Sequence, residues 1–154
     1  MATTVIYIDP TAGNDSNTGT KPSQAIKTWA ARTSKGSGTK TYPIRRGTVL
    51  DAAMVLANNE TVRRYGDPTL PAPKVSTTSA FGLSGTDLAG ATVQDVDISA
   101  GQRAININRG TNFKAFRCGV PRADRWHQPP ALLHHPGHGP GAPAQLGAGQ
   151  LLWR

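Results

Sequence analysis

The chain has 154 residues, a single cysteine, 37% hydrophobic residues and a formal net charge of +8. That length allows one modest core, one thiol excludes an internal disulfide, and no apolar stretch is long enough to span a bilayer as a helix. The positive charge is dispersed as Arg45-Arg46, Arg63-Arg64 and isolated lysines without interleaved aromatics, which argues against nucleic acid and leaves a solvated basic surface or an attraction to acidic glycans.

The first element in chain order is a short β-rich run, Tyr7-Ile8-Asp9-Pro10, followed by a loop dense in Gly, Asn and Asp from Gly13 to Gly19. Asn and Asp accept hydrogen bonds from nearby backbone amides, and Gly13 and Gly19 tolerate positive φ, so the loop is expected to be folded. Ile26, Trp29 and Ala30 then fall at i, i+3 and i+4. This spacing predicts one apolar helical face covering the end of a core, with Lys27 and Arg32 turned to water. Residues 1–41 thus read as an N-terminal cap with a short helix. Beyond them, Val62, Val75, Val93, Val96, Ile98, Ile105, Ile107, Phe113 and Phe116 sit in short runs separated by Gly, Asn, Asp and Ser. Such runs predict an all-β unit over 42–118. It is built either as stacked coils, each burying what its neighbour leaves open, or as a two-sheet sandwich.

The segment Tyr7 to Ala31 resembles the N-terminal cap of single-stranded right-handed parallel β-helix proteins, the pectate-lyase-like superfamily that includes phage tailspikes and polysaccharide depolymerases. Tyr42-Pro43-Ile44-Arg45-Arg46-Gly47-Thr48-Val49 is similar to that family's Arg-Gly-Thr approach to the first coil. Asn58 to Asp67 looks like its Asn-x-Thr-Ile-x-x-Tyr-Gly strand and turn, and Thr92 to Ser99 followed by Ala104 to Asn108 looks like two successive rungs. The resemblance covers residues 5–118 and implies a right-handed parallel β-helix: the cap and first few coils of a protein whose intact form binds and cleaves a polysaccharide. A non-catalytic structural or adhesive β-helix module is the alternative, and a small, independently folded basic β domain is a third reading. The tailspike likeness implies a homotrimer and a virion location. Met1 to Ile6 show no charged n-region with an apolar h-region, so no signal peptide is expected, which suits a virion protein and a cytoplasmic one equally.

Chemistry is sparse. Asp95 and Asp97, at i and i+2, are expected to project from one exterior face of one strand, about 6–7 Å apart by strand rise, a separation open to a general acid and base on a glycosidic bond. Val96 and Ile98 would face inward, and a pair of solvated aspartates flanking a buried strand is the plainer reading. Arg103 and Arg109 flank Asn106 and Asn108 on turns and are candidate glycan-binding residues, while those asparagines and Asn112 suit stacked coil turns. No cofactor is expected, and no metal: Ile26 stands where an EF-hand loop begun at Asp15 needs its bidentate Glu. Asn14-Asp15-Ser16 and Asn59-Glu60-Thr61 match the glycosylation sequon. Cys118 reads as a packed coil residue, since no histidine precedes it to activate a thiolate.

Composition breaks after Cys118. Residues 119–154 contain no Ser, Thr, Ile, Asn, Phe, Tyr or Lys, whereas the first 118 residues hold 25 Ser and Thr; all four histidines and six of the twelve prolines lie in this tail. Two readings stand. One is a disordered Pro/Gly/Ala/His-rich linker, in which His134, His135 and His138 have metal-ligand side chains by type alone. The other is a shifted reading frame in a GC-rich gene. Trp126-His127-Gln128 is encoded TGG-CAY-CAR, and moving one base forward gives Gly followed by Ile or Thr. On the second reading the final coil is open, exposing strand edges to aggregation.

Overall fold

The computed structural model describes residues 3–119. Within them the chain is all-β apart from two 3-10 turns, Pro22–Gln24 and Ala30–Ser34. The strands are β1 (Thr3–Val5), β2 (Thr39–Arg45), β3 (Val49–Leu50), β4 (Met54–Val55), β5 (Thr61–Tyr65), β6 (Lys74–Ser76), β7 (Phe81–Ala89), β8 (Thr92–Gln94), β9 (Asp97–Ser99), β10 (Arg103–Thr111) and β11 (Lys114–Phe116). They form three sheets: β1-β2-β5-β8-β11, β3-β6-β9, and β10-β7-β4. Every strand pairing is parallel. The chain therefore visits the three sheets in turn, three times, as a parallel β-solenoid of about three coils. A two-sheet sandwich, with its antiparallel hairpins, is excluded. Thr92 to Ser99 and Ala104 to Asn108 are not two successive rungs: they supply β8, β9 and most of β10, the three faces of a single coil.

Register explains the core. Tyr42, Val62, Val93 and Ala115 pair in sequence along the first sheet, Leu50, Val75 and Ile98 along the second, and Met54, Leu83 and Ile105 along the third. Side chains alternate across a strand, so residues in register stack on the same face. All of these in the first two coils are buried, each burial being worth about 1.5–3 kcal/mol for the larger aliphatics. Gly82 is required by close approach, because a Cβ there would lie 2.6 Å from Ile98 Cγ2 and 3.0 Å from the Ala104 carbonyl oxygen. The loop between β5 and β6 is folded back by Arg46, whose Nε and Nη2 donate to the carbonyls of Leu70 and Pro68 at 2.8 Å.

The N-terminal end is closed. Ile8 forms parallel bridges to both Ile44 and Ile26, and Ile6, Ile8, Ile26 and Trp29 are buried with Tyr42 in the core. The cap is therefore present, although its apolar residues do not share a helix face: Ile26 is a bridge partner, Trp29 precedes the second 3-10 turn, and Ala30 is exposed. Ile26 and Trp29 are brought to the core by the bridge to Ile8 and by the turn that follows, a route that the i, i+3 spacing does not distinguish from a helix face. Lys27 faces water, but Arg32 does not: its guanidinium stacks 4.1 Å over Trp29 and 5.7 Å from Tyr42. The 13–19 loop is folded as expected, with Asp15 accepting the amides of Lys27 and Thr28 at 2.8 Å. Gly19 has φ +76°, whereas Gly13 is needed for space, since a Cβ there would strike the carbonyls of Asp9 and Ile26.

Among the described residues no helix is long and apolar enough to cross a membrane. Residues 120–154, with the four histidines, lie outside the described residues.

Candidate functional site

From β7 onward the register advances by 22 residues per coil, which stacks Asp87 with Arg109, Asp95 with Arg117, and Asp97 with Gly119. Two of these stacks are ion pairs, and all four of their residues adopt positive φ: Asp87 51°, Arg109 57°, Asp95 57° and Arg117 47°. Left-handed backbone in non-glycine residues costs energy unless a turn demands it. Here it bends the chain at matching points of consecutive coils. A third such stack, Asn59, Gly90 and Asn112, lies just before the first sheet, at φ 59°, 68° and 57°. Asn112 thus occupies a coil corner as expected, while Asn106 and Asn108 lie within β10 beside Ser84 and Thr86.

Asp95 and Asp97 do not share a strand. Asp95 sits in the corner after β8, and Asp97 opens β9 on the next sheet, with Val96 buried between them. The physical reason is the left-handed residue at Asp95, which breaks what reads in sequence as one alternating run. Asp95 is only 4% exposed, where an exterior residue was expected. Its carboxylate accepts from Arg117 Nε and, at 2.9 Å, Nη2, with Arg64 Nε at 3.6 Å from the opposite side. The Arg117 hydrogen bond holds its carboxyl below the usual carboxylate range, against the upward push of burial. A general acid requires the reverse, a carboxyl that keeps its proton near working pH. Asp97 Oδ1 accepts the Gly119 amide at 3.1 Å. Asp95 thus ties the corner after β8 to the corner after β11, and Asp97 ties β9 to Gly119, one register step further along the chain.

Arg103 and Arg109 lie at opposite ends of β10, so the structure does not bring them together. Arg103 begins the strand beside Phe81. Arg109 forms a bidentate pair with Asp87, Nε to Oδ1 at 2.8 Å and Nη2 to Oδ2 at 3.0 Å, with both side chains mostly in solvent. The pair borders a shallow cleft of about 180 Å³ lined by Asp87, Leu88, Arg109, Gly110 and Thr111. A planar guanidinium held in a fixed fork beside a carboxylate offers donors and acceptors in set directions. Such a site suits a neutral or acidic hydroxyl-rich ligand lying on the surface. Sequence reasoning named Arg109 and missed Asp87. The available signal was spacing: Asp87 and Asp95 stand eight apart, and Arg109 and Arg117 repeat that interval with the opposite charge.

Two other ionic groups stand apart from these stacks. Asp9 accepts the amides of Thr11 and Ala12 at 3.0 Å and pairs with Arg45 at 2.6 Å. Burial pushes its carboxyl up, but the Ala12 amide, Arg45 and the Thr11 amide together hold it below the ordinary range. Inside, Tyr42 donates to Glu60 Oε1 at 2.6 Å, and the Ala57 amide donates to Oε2 at 2.8 Å. Cys118 is half-buried, its thiol pushed up by that burial and therefore protonated at neutral pH. Among the described residues no group of three or more His, Cys, Asp or Glu is placed to hold a metal ion. No protein-family model matches the chain and no curated protein sequence matches it.

Proposed function

We propose that the chain is the cap and first coils of a pectate-lyase-like β-helix protein that binds a polysaccharide. On this reading the described coils supply scaffold and a binding flank, and the bond-cleaving centre of the intact protein lies elsewhere. The observation that supports it best is the Asp87–Arg109 pair beside its cleft on the solenoid's side. A surface groove with a few fixed polar groups is the kind of site that orients an extended ligand. The net charge of +8 favours an acidic glycan over a neutral one.

Affinity electrophoresis of the full chain in gels containing acidic or neutral polysaccharides tests this. Retardation is expected in the acidic gels, and Arg109→Ala is expected to weaken it about tenfold, the factor that 1.4 kcal/mol represents. Equal mobility in all gels would remove the binding reading and leave the structural one. The adhesive or structural alternative is favoured by one specific observation: Asp95, the better placed of the two aspartates, is engaged by arginine. If Asp95 and Asp97 nevertheless act on a glycosidic bond, the chain releases new reducing ends from a polysaccharide and Asp95→Asn abolishes the release. The tailspike likeness adds a homotrimer on a virion to the proposal, which sedimentation of the intact protein would test.

A further inference from the structure

The three sheets end at β9, β10 and β11, the last of which begins the coil after the one that holds β8, β9 and β10. In β10 and β11, side chains in register with buried residues of the preceding coil are less covered. Leu83 is fully buried in β7, while its register partner Ile105 is only partly buried, and Val93 is buried in β8, while its partner Ala115 is exposed; in β9, by contrast, Ile98 stays fully buried. Among the described residues β10 and β11 present unpaired strand edges and apolar surface, as the top of an unfinished solenoid does, whereas on β9 the Ile98 amide already donates to the Gly119 carbonyl at 2.8 Å.

The 22-residue register identifies what belongs on the edge of β10 and β11. Carried forward in the sequence, it sets Val120 after Ile98 and Arg125 after Arg103, like with like. It also sets Pro121 after Ser99 at the end of β9, and further on it sets His127 after Ile105 and Pro129 after Ile107. Proline cannot donate to a ladder, and an imidazole is a poor occupant of an inward apolar position. Starting one base into the Trp126 codon, however, TGG-CAY-CAR-CCN reads GGC, then AYC, then ARC: Gly, then Ile or Thr, then Asn or Ser. The next triplet, CNC, encodes Leu, Pro, His or Arg. Those residues fall, with no offset, after Ala104-Ile105-Asn106-Ile107, and two coils after Gly82-Leu83-Ser84. The small residue and the polar amide or hydroxyl recur in order, and the code allows Ile at the inward position between them. No codon choice for residues 126 to 145 can produce a stop in that frame.

We infer that the exposed edge formed by β10 and β11 is the docking surface for a further coil of the same 22-residue register, and that this coil is encoded one base out of the present frame from codon 126. The shift restores residue type and register together, which a disordered linker has no reason to do. The occupant is thus the chain's own continuation in the other frame.

Three full-length chains expressed from the native gene test the inference: one from the unaltered gene, one lacking the first base of codon 126, and one lacking the first two. The one-base deletion is expected to lower binding of an apolar dye about twofold or more and to raise Tm by about 4–8 °C, the scale of a modest stability gain in a domain of this size. The two-base deletion is expected to do neither, which controls for simple loss of the present tail. Equal behaviour of the two deletions would overturn the inference. So would low dye binding by the unaltered chain, whether as a monomer, where its own tail covers the edge, or as a dimer, where a second copy does. Resequencing the locus across codons 118 to 130 gives the independent reading: an ambiguous base near codon 126 is expected, and an unambiguous present frame would contradict it.

Discussion

At the first-coil end Ile6, Ile8, Ile26 and Trp29 are each no more than 4% exposed, whereas at the other end Ile105 and Ile107 are half-buried and Ala115, in register with buried Val93, is exposed. The residue types are alike and the strands pair in the same parallel sense. What differs is the neighbour. A strand of two to nine residues in one coil cannot cover its own inward side chains, so each coil depends on the coils above and below. At the first end that cover is supplied by residues 6–9 and 25–34, which lie across the core and are held there by backbone hydrogen bonds such as Asp9 N–H to the Ile26 carbonyl at 2.9 Å. Nothing equivalent covers β10 and β11 among the described residues.

The largest effect is expected from removing the cap. Trp29→Ala should destabilise by about 3–5 kcal/mol in urea denaturation, as for a buried aromatic, because Trp29 packs edge-on to Tyr42 at 5.0 Å and under Arg32. Ile107→Ala at the other end should cost less than half as much, since a half-buried side chain loses less transfer energy. Equal costs would erase the contrast between the ends.

Next comes the polar tie inside the first two coils. Tyr42→Phe leaves Glu60 Oε1 buried without its donor and should cost about 1–3 kcal/mol. The same region responds to alkali. Burial, the Glu60 hydrogen bond and the Glu60 charge push the Tyr42 hydroxyl well above its ordinary value, and burial with the Asp9 charge pushes Tyr65 up to about 12. The folded state thus favours the neutral phenols. Their contribution is complete below the unfolded value near 10 and is lost as pH rises through the folded values. Phenolate absorbance should therefore lag behind that of the unfolded chain, and stability should fall above about pH 10.

Gly82→Val sharpens the comparison at the boundary between second and third coils. With Ile98 Cγ2 at 2.6 Å and the Ala104 carbonyl at 3.0 Å from the added Cβ, about 1–3 kcal/mol of overpacking cost is expected, with β10 loosened and β2 unaffected by hydrogen exchange. In acid, Asp9 and Asp95 are both held below the usual range. Their contribution is present above the unfolded carboxylate value and is lost as pH falls through the folded values. Asp95→Asn should flatten that acid limb. The smallest effect is expected from Arg109→Gly, where relief of the left-handed backbone offsets the lost exposed pair and the added unfolded-chain entropy. Its Tm should barely move while glycan retardation falls, which separates binding from folding.

Much of this fold could be read from residue types. Val62, Val75, Val93 and Ile98 fall in short runs broken by turn residues, and all four are buried in their strands. Corners were the obscure part. The run Asp95 to Ile98 alternates like one strand, yet the left-handed φ of Asp95 divides Thr92–Gln94 from Asp97–Ser99 between two sheets, and Val93 falls out of step with Val96 and Ile98. An aspartate tolerates that conformation without advertising it as glycine would. The coil period was hidden for a related reason: the loop between β5 and β6 lengthens the second coil, so the 22-residue spacing holds only from β7 onward. The charge swap between Asp87-Asp95 and Arg109-Arg117 becomes meaningful once that spacing is known.

Hydrogen exchange of the full chain at neutral pH, followed peptide by peptide, tests most directly the claim that the solenoid is closed at one end and open at the other. Amides of β2 and β5 should exchange most slowly, through global unfolding, and those of β10 and β11 at least tenfold faster through local opening. Protection of β11 equal to that of β5 would contradict the account, because it would mean that the last rung is covered.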